Sequence, residues 1–514
     1  MEQPKGWSWQ DRAEGSIRRG AALDPNVEPV HGIRAFPTAY LPQRLLITQD
    51  DDNGAFDQEV RTLHEAAGSF GWELRIEEPD RRALVADLPW FVRAQLTTPD
   101  VPVRGESPVP PDAWRVLQRA RRISRSTMPR TSLEHVVSID PVGLNPFSHT
   151  NPFSHTNPFS HTNPVGAERG GGSEDYTVPG RGARTPVSWL GAAPRRGSSP
   201  RRGRRPVVAV LDTGCGVHEW LPDDIVTRHV DLDGVPVGLT DAADPEIYPD
   251  LYGQLDGDID PVAGHGTFIA GLVRQAAPDA DILSIRMAGA LGVVDESTFL
   301  TTLAQVVELL RRHREDPKTG HPIDVLNLSL GYYHETPQDG LFSDTLNALL
   351  TRARELGCVV VCSAGNDAID RPAFPASLWA WPGADNGLPR DDFAPLVSVG
   401  ALNPSGRSVA LFSNVGPWVR AYAVGAAVVS TSPAFTGGQQ ATSRADYEGL
   451  RRETVDPDDY RGGFAVWSGT SFAAPYVAGR IAAQLGAVPQ EGVRPEVAIA
   501  AVAKVLKTLP TPRD

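Results

Sequence analysis

After Pro206, apolar stretches and amphipathic stretches alternate, and this alternation limits the fold more than any other feature of the chain. The strand candidates are VVAVLD, ADILSIRM, IDVLNLSL, CVVVCSAG and LVSVGAL. The helix candidates are TFIAGLVRQAA, STFLTTLAQVVELLRRHRE, LFSDTLNALLTRARELG, SFAAPYVAGRIAAQLG and PEVAIAAVAKVLKTL. Strands that are apolar along their whole length need cover on both sides. The pattern over 206–510 therefore predicts an α/β fold, a mostly parallel sheet with helices on both faces. Right-handed crossovers would bring the carboxyl ends of those strands to one edge, where open α/β sheets place their ligands.

The preceding residues follow other rules. Residues 1–40 are polar and rich in Pro and Gly, and read as a poorly ordered arm. Residues 41–140 carry a β-α-β-β-α-β pattern: RLLITQ, a helix around FDQEVRTLHEAAGSFG, WELRIEE, one or two strands in ALVADLPWFVRAQL, a helix in PDAWRVLQRARRIS, and LEHVVSID. That order permits a small ferredoxin-like α+β domain. Residues 141–205 begin with NPFSHT repeated three times and end in RRGSSPRRGRRP, a low-complexity linker by composition. Pro in every repeat keeps His149, His155 and His161 apart, so the segment reads as a solvated spacer and not as a metal site.

With 514 residues the chain is long enough for a large domain and an appended one. Its 49 Lys and Arg against 63 Asp and Glu give a formal charge of -14, which argues against nucleic-acid and acidic-membrane partners. No apolar run reaches the ~20 residues of a membrane span. The Arg18-Arg19 pair is followed by no apolar region, so no secretory or twin-arginine signal is expected. Three cysteines, Cys215, Cys358 and Cys362, fit a reducing compartment better than a disulfide framework. The expected location is the cytoplasm, and no cofactor is called for.

Three blocks carry the chemistry. VVAVLDTGCG ends a strand in Asp212, AGHGTFIAGLV opens a helix at His265 between Gly264 and Gly266, and SGTSFAAPYVAGRIA places Ser471 at the amino end of a helix. Singly, each has an ordinary structural reading: turn residue, helix-start histidine, cap. Jointly they stand at element ends facing one edge, in the order Asp, His, Ser. A serine hydroxyl becomes a competent nucleophile when a neutral imidazole accepts its proton, and a buried carboxylate holds that imidazole in the right tautomer. The order matches subtilisin and differs from chymotrypsin and the α/β-hydrolases.

Around these blocks the chain closely resembles the subtilase family over roughly 206–485. The matching segments are LDTG at Asp212, GHGT at His265, NLSLG at 327–331, SAGND at 363–367, FPA at 374–376, VGAL at 399–402, FSNVG at 412–416 and GTSFAAP at 469–475. The resemblance implies a subtilisin-like serine endopeptidase working through an acyl-enzyme. It implies an oxyanion hole from Asn366 and the N–H of Ser471. It also implies that Ser329, Leu330 and Gly331 form the edge that pairs with an extended protein or peptide substrate, and that Ser363, Ala364 and Gly365 form part of the first specificity pocket. A second reading is a catalytically minor scaffold whose N-terminal region recruits a protein partner. In outline, residues 41–140 resemble the prodomains that subtilases use as folding templates and inhibitors, which implies intramolecular inhibition; a permanent docking domain fits the same residues.

Three departures from the family pattern stand out. Phe472 replaces the usual Met, a swap of bulky apolar groups expected to leave Ser471 in place. Val424 replaces a usual Pro. Residues 433–463 form a polar insertion directly before the nucleophile block, which reads as a surface loop or as a lid over the substrate groove. Asp256, Asp258 and Asp260 alternate just before His265, but lack the distal Glu of a calcium-binding EF-hand loop and are read as an acidic solvated loop, with no metal.

Overall fold

The computed structural model describes residues 3–512 except 6, 9, 13–19, 51, 100–108, 140–175, 179, 254–255, 337–342 and 385–386. The three NPFSHT repeats, and the spacer reading made for them, lie outside the described residues.

A seven-stranded sheet organises the C-terminal part, in the spatial order 421–424, 396–402, 359–363, 325–328, 207–212, 281–286, 226–227. Every neighbouring pair is parallel. Alternation along each strand divides its apolar residues between two cores. Val208, Val210, Val359, Val361, Val397 and Val399 pack with the helices His265–Ala276, Thr470–Leu485 and Pro495–Leu506. Ala209, Leu211, Leu326, Leu328, Val360 and Cys362 pack on the other face with Glu296–Glu315 and Asp344–Glu355. This is the arrangement expected for strands that are apolar on both sides. The edge strands 226–227 and 421–424 are only two and four residues long and lie outside the strand candidates of the sequence. Cys215, Cys358 and Cys362 are all free thiols.

The N-terminal region forms an antiparallel sheet in the order 131–138, 39–49, 90–97, 73–76. Two helices, Asn53–Gly68 and Ala113–Ser124, cover one face. This is the order of a ferredoxin-like sandwich. ALVADLPWFVRAQL yields a single strand, Trp90–Thr97; its first part follows a short 3-10 turn at Arg81–Ala83 and is neither strand nor helix. The sheet's second face contributes Leu46, Phe91 and Val137 to the same core as Phe299, Leu303 and Leu346, so the sheet lies on the helices Glu296–Glu315 and Asp344–Glu355.

Two readings of the polar stretches need correction. The arm at 1–40 is tied down at several of its described residues. Residues 21–22 pair with 39–40, Leu23 is buried, Trp114 Nε1 donates to the Val27 carbonyl at 3.0 Å, and Glu28 pairs with Arg119 and Arg122. Farther out, Trp7 Nε1 donates to the Leu251 carbonyl at 3.1 Å and Arg12 pairs with Asp250. The second correction concerns 141–205. Its described end is no spacer, because Thr185–Val187 adds a strand to Phe464–Trp467. Arg184 donates to the carbonyls of Ile259, Asp260 and Ala263 and lies over the Trp467 ring at 4.9 Å. Composition could not show this, since the ordering comes from distant partners and not from local propensity.

Candidate active site

Asp212 is the last residue of a central strand, and His265 opens a helix whose preceding Gly264 sits at φ 82, in the left-handed region. Gly266 allows the two segments to meet: a Cβ there would fall 2.0 Å from the Gly214 carbonyl oxygen. In this close approach His265 Nδ1–H donates to Asp212 Oδ1 at 2.8 Å, with both side chains fully buried. That bond fixes the tautomer that leaves Nε2 basic, and Nε2 is buried without a hydrogen-bond partner. The ring is held by aromatic neighbours, Trp467 edge-on at 5.5 Å and Phe472 tilted at 5.1 Å. Phe472 in place of Met thus adds a wall to the imidazole's pocket.

Ser471 lies in the first turn of the Thr470–Leu485 helix and is buried. Its hydroxyl donates to the Ser329 carbonyl at 3.4 Å, and Ser329 Oγ donates back to the Ser471 carbonyl at 2.9 Å. The structure therefore joins Asp212 to His265 directly, whereas the Ser471 hydroxyl is turned toward Ser329. Asn366 is anchored by its carbonyl oxygen, which accepts from Thr470 N–H at 2.8 Å and from Thr470 Oγ1 at 2.9 Å. Its amide nitrogen is thereby directed away from Thr470, on the side of Gly469. Gly365, at φ 99, donates its N–H to Thr470 Oγ1, and the Ala364 carbonyl accepts from Asn414 Nδ2. Ser363 closes the neighbouring strand.

The Ser329–Gly331 edge is occupied. Ser138, at the end of the last N-terminal strand, exchanges both N–H···O bonds with Gly331, each 2.9 Å. On its other side that strand pairs antiparallel with Val293–Asp295, and the Ile139 N–H donates to the Gly292 carbonyl at 2.7 Å. An extended segment is thus held in a slot between two backbone edges. Beside the slot, His135 lies between two carboxylates, Glu296 at 2.6 Å from Nδ1 and Glu335 at 2.7 Å from Nε2. Burial opposes a charge there, but the two glutamates outweigh it and lift the imidazole to about 10. His334, its ring tilted 46° to that of His135 at 4.9 Å, is pushed down to about 4 by burial. His135, His334 and Glu335 are the one grouping with metal-ligand spacing among the described residues. Both ring nitrogens of His135 are already engaged, so the group is an ion-paired clamp.

The insertion at 433–463 is rooted beside His265. Pro433 and Phe435 press on Gly264, Phe435 and Tyr460 are buried, and Gly438 N–H donates to the Gly257 carbonyl. Beyond that root, residues 444–447 and 450–453 form a fully exposed hairpin.

The profile of the Subtilase family matches residues 203–508. This chain belongs to the subtilase family. Its C-terminal part is a subtilisin-like serine peptidase domain. An intracellular serine protease of Paenibacillus polymyxa is 28% identical over 293 residues, 55% of this chain and 67% of that protein. Subtilisin-like protease 5 of Arthroderma gypseum is 27% identical over 300 residues, 57% of this chain and 58% of that protein. This subtilase therefore spans between 58% and 67% of the length of these relatives. Among solved structures, fervidolysin from Fervidobacterium pennivorans, a keratinolytic enzyme related to subtilisin, aligns with 94% of this chain and 59% of its own, at 18% identity and a TM-score of 0.44.

Sequence reasoning missed several residues around the site. Glu246 sits behind Asp212 and His265, bonded to Thr213 and Thr267, yet in DAADPEIYPD it is one acidic residue among several. Arg184, His135, Glu296 and Glu335 carry no motif either. Each becomes legible only when distant segments are brought together.

Proposed function

We propose that this subtilase is a serine endopeptidase whose triad is Asp212, His265 and Ser471, and that the N-terminal domain holds it latent until the chain is cut. The observation that carries the first part is the buried His265–Asp212 bond, with His265 Nε2 left without a partner and Ser471 in the first turn of the Thr470–Leu485 helix. In the reaction the Ser471 hydroxyl rotates from the Ser329 carbonyl toward His265 Nε2, gives up its proton and attacks the scissile carbonyl. His265 then delivers the proton to the leaving amine, and water repeats the sequence on the acyl-enzyme. The oxyanion is received by Asn366 Nδ2 and by the Ser471 N–H, which points out of the helix's first turn. No metal or cofactor enters any step. The free thiols accord with a cytoplasmic location, which is part of the proposal.

Latency rests on the occupied slot. A substrate strand would need the bonds that Ser138 makes to Gly331 and Ile139 makes to Gly292, so substrate and the N-terminal strand compete for one backbone edge. Measured by intact mass, wild-type protein should shorten between about 145 and 205 while Ser471→Ala stays whole. A wild-type chain that remains full-length yet hydrolyses unfolded protein at full rate would remove the N-terminal domain as a restraint, leaving it a docking module.

A further inference from the structure

Behind the Asp212–His265 pair lies a carboxylic acid that no reaction step above uses. Glu246 is buried in the loop before the His265 helix. Its Oε1 accepts from Thr213 Oγ1 at 2.5 Å and from Gly266 N–H at 3.1 Å, and its Oε2 accepts from Thr267 Oγ1 at 2.5 Å. The two threonines are cross-tied as well. Thr213, next to Asp212, accepts from Gly266 N–H at 2.8 Å; Thr267, two residues after His265, accepts from Gly216 N–H at 2.7 Å. One carboxyl group thus joins the segment that presents the acid to the segment that presents the imidazole.

The proton count at Thr213 connects this knot to the chemistry. Thr213 has one hydroxyl proton and two acceptors, Glu246 Oε1 at 2.5 Å and Asp212 Oδ1 at 3.1 Å. While Glu246 is ionised it takes the proton, and Asp212 Oδ1 keeps only the Thr213 N–H, at 2.8 Å, and His265 as donors. A neutral group at 246 that donates to Thr213 Oγ1 turns the Thr213 hydroxyl onto Asp212 and draws off charge that would otherwise stabilise the imidazolium. We propose that Glu246 is a positioning residue of the proteolytic reaction, tying Thr213 behind Asp212 to Thr267 behind His265 and setting which carboxylate the Thr213 hydroxyl serves. The inference rests on the triad reading above.

Burial pushes Glu246 up to about 7, against the hydrogen bonds from Thr213 and Thr267 and with the help of Asp244 and Asp212, so it titrates where the enzyme would work. The charged or titratable groups facing it are Asp212 and His265, Asp244 in its own loop, Cys215, and Arg286 across Gly214.

The test is the pH dependence of kcat and kcat/KM on a short peptide for wild type, Glu246→Gln, Thr213→Val and Thr213→Ser. Removing the charge at 246 should move the acid limb of kcat/KM to lower pH by about one unit, because imidazolium loses a nearby anion. It should also lower plateau kcat on the order of tenfold with KM unchanged, since the carboxyl touches no substrate. Thr213→Val should reproduce the loss in kcat, and Thr213→Ser, which keeps the hydroxyl, should restore it. A Glu246→Gln enzyme with an unmoved acid limb and unchanged kcat would overturn the inference. So would equal kcat in Thr213→Val and Thr213→Ser, a comparison that stands even if Glu246→Gln does not fold. Wild-type hydrolysis that survives Ser471→Ala would instead overturn the triad reading, and this inference with it.

Discussion

In the proposed reaction Asn366 is a single side chain prepared for a charge that exists only transiently. Its carbonyl oxygen is committed to Thr470, the residue before Ser471, so the amide cannot flip without breaking two hydrogen bonds. Asn366→Leu should lower kcat by about 10²–10³ with little change in KM, because the donor matters as negative charge develops on the carbonyl oxygen. Steady-state kinetics on a small amide substrate checks this, and a pure KM effect would assign Asn366 to ground-state binding. Asp212, His265, Ser471 and Asn366 stand out in the sequence as candidates because each sits in a block whose neighbours are themselves demanding: glycines where backbones touch, small residues where a helix starts. Glu246 was not, because its partners are two threonine hydroxyls and a backbone N–H reached only through the folded loop. The turn of Ser471 toward Ser329 was equally beyond the sequence, since a hydroxyl's rotamer answers to its surroundings.

At the scale of elements, the insertion at 433–463 divides into a root and a tip with different energetics. Phe435 is buried against Gly264, whereas the hairpin of 444–453 is exposed along both strands. Phe435→Ala should therefore destabilise the folded protein by about 3–5 kcal/mol. Excising residues 443–454 across a short Gly/Ser join should leave the melting temperature nearly unchanged. If the hairpin works as a lid, its removal should also alter relative rates among folded and unfolded protein substrates while sparing a small peptide. Thermal melts and a substrate panel on the two variants separate these outcomes. The sheet strands and covering helices were readable from periodicity because burial on both faces leaves few residue choices. The hairpin of 444–453, the edge strands 226–227 and 421–424, and the strand at 185–187 were not, since short or exposed strands are specified by their pairing partner and not by their own composition.

For the whole molecule, the interface between the N-terminal sheet and the peptidase domain combines an apolar face with a buried charge clamp. His135 is raised above its unfolded value, so its contribution is fully present below about 6.5 and is lost as pH rises through about 10. In the Ser471→Ala chain, the melting temperature should fall between pH 8 and pH 11 more steeply with His135 than with Gln in its place; parallel curves would show that the clamp adds nothing to docking. The β-α-β-β-α-β order of the N-terminal domain was legible in the sequence, but its contact with the Ser329–Gly331 edge was not, because Ser138 and Gly331 meet only across the folded assembly. The central claim is that Ser471 is a nucleophile activated by His265. Wild-type protein, incubated until its mass has stopped changing, should take up one fluorophosphonate group, mapped by peptide mass to Ser471, and His265→Ala should take up none. A folded wild type that remains unlabelled, or a label on another serine, or equal labelling of His265→Ala, would contradict it.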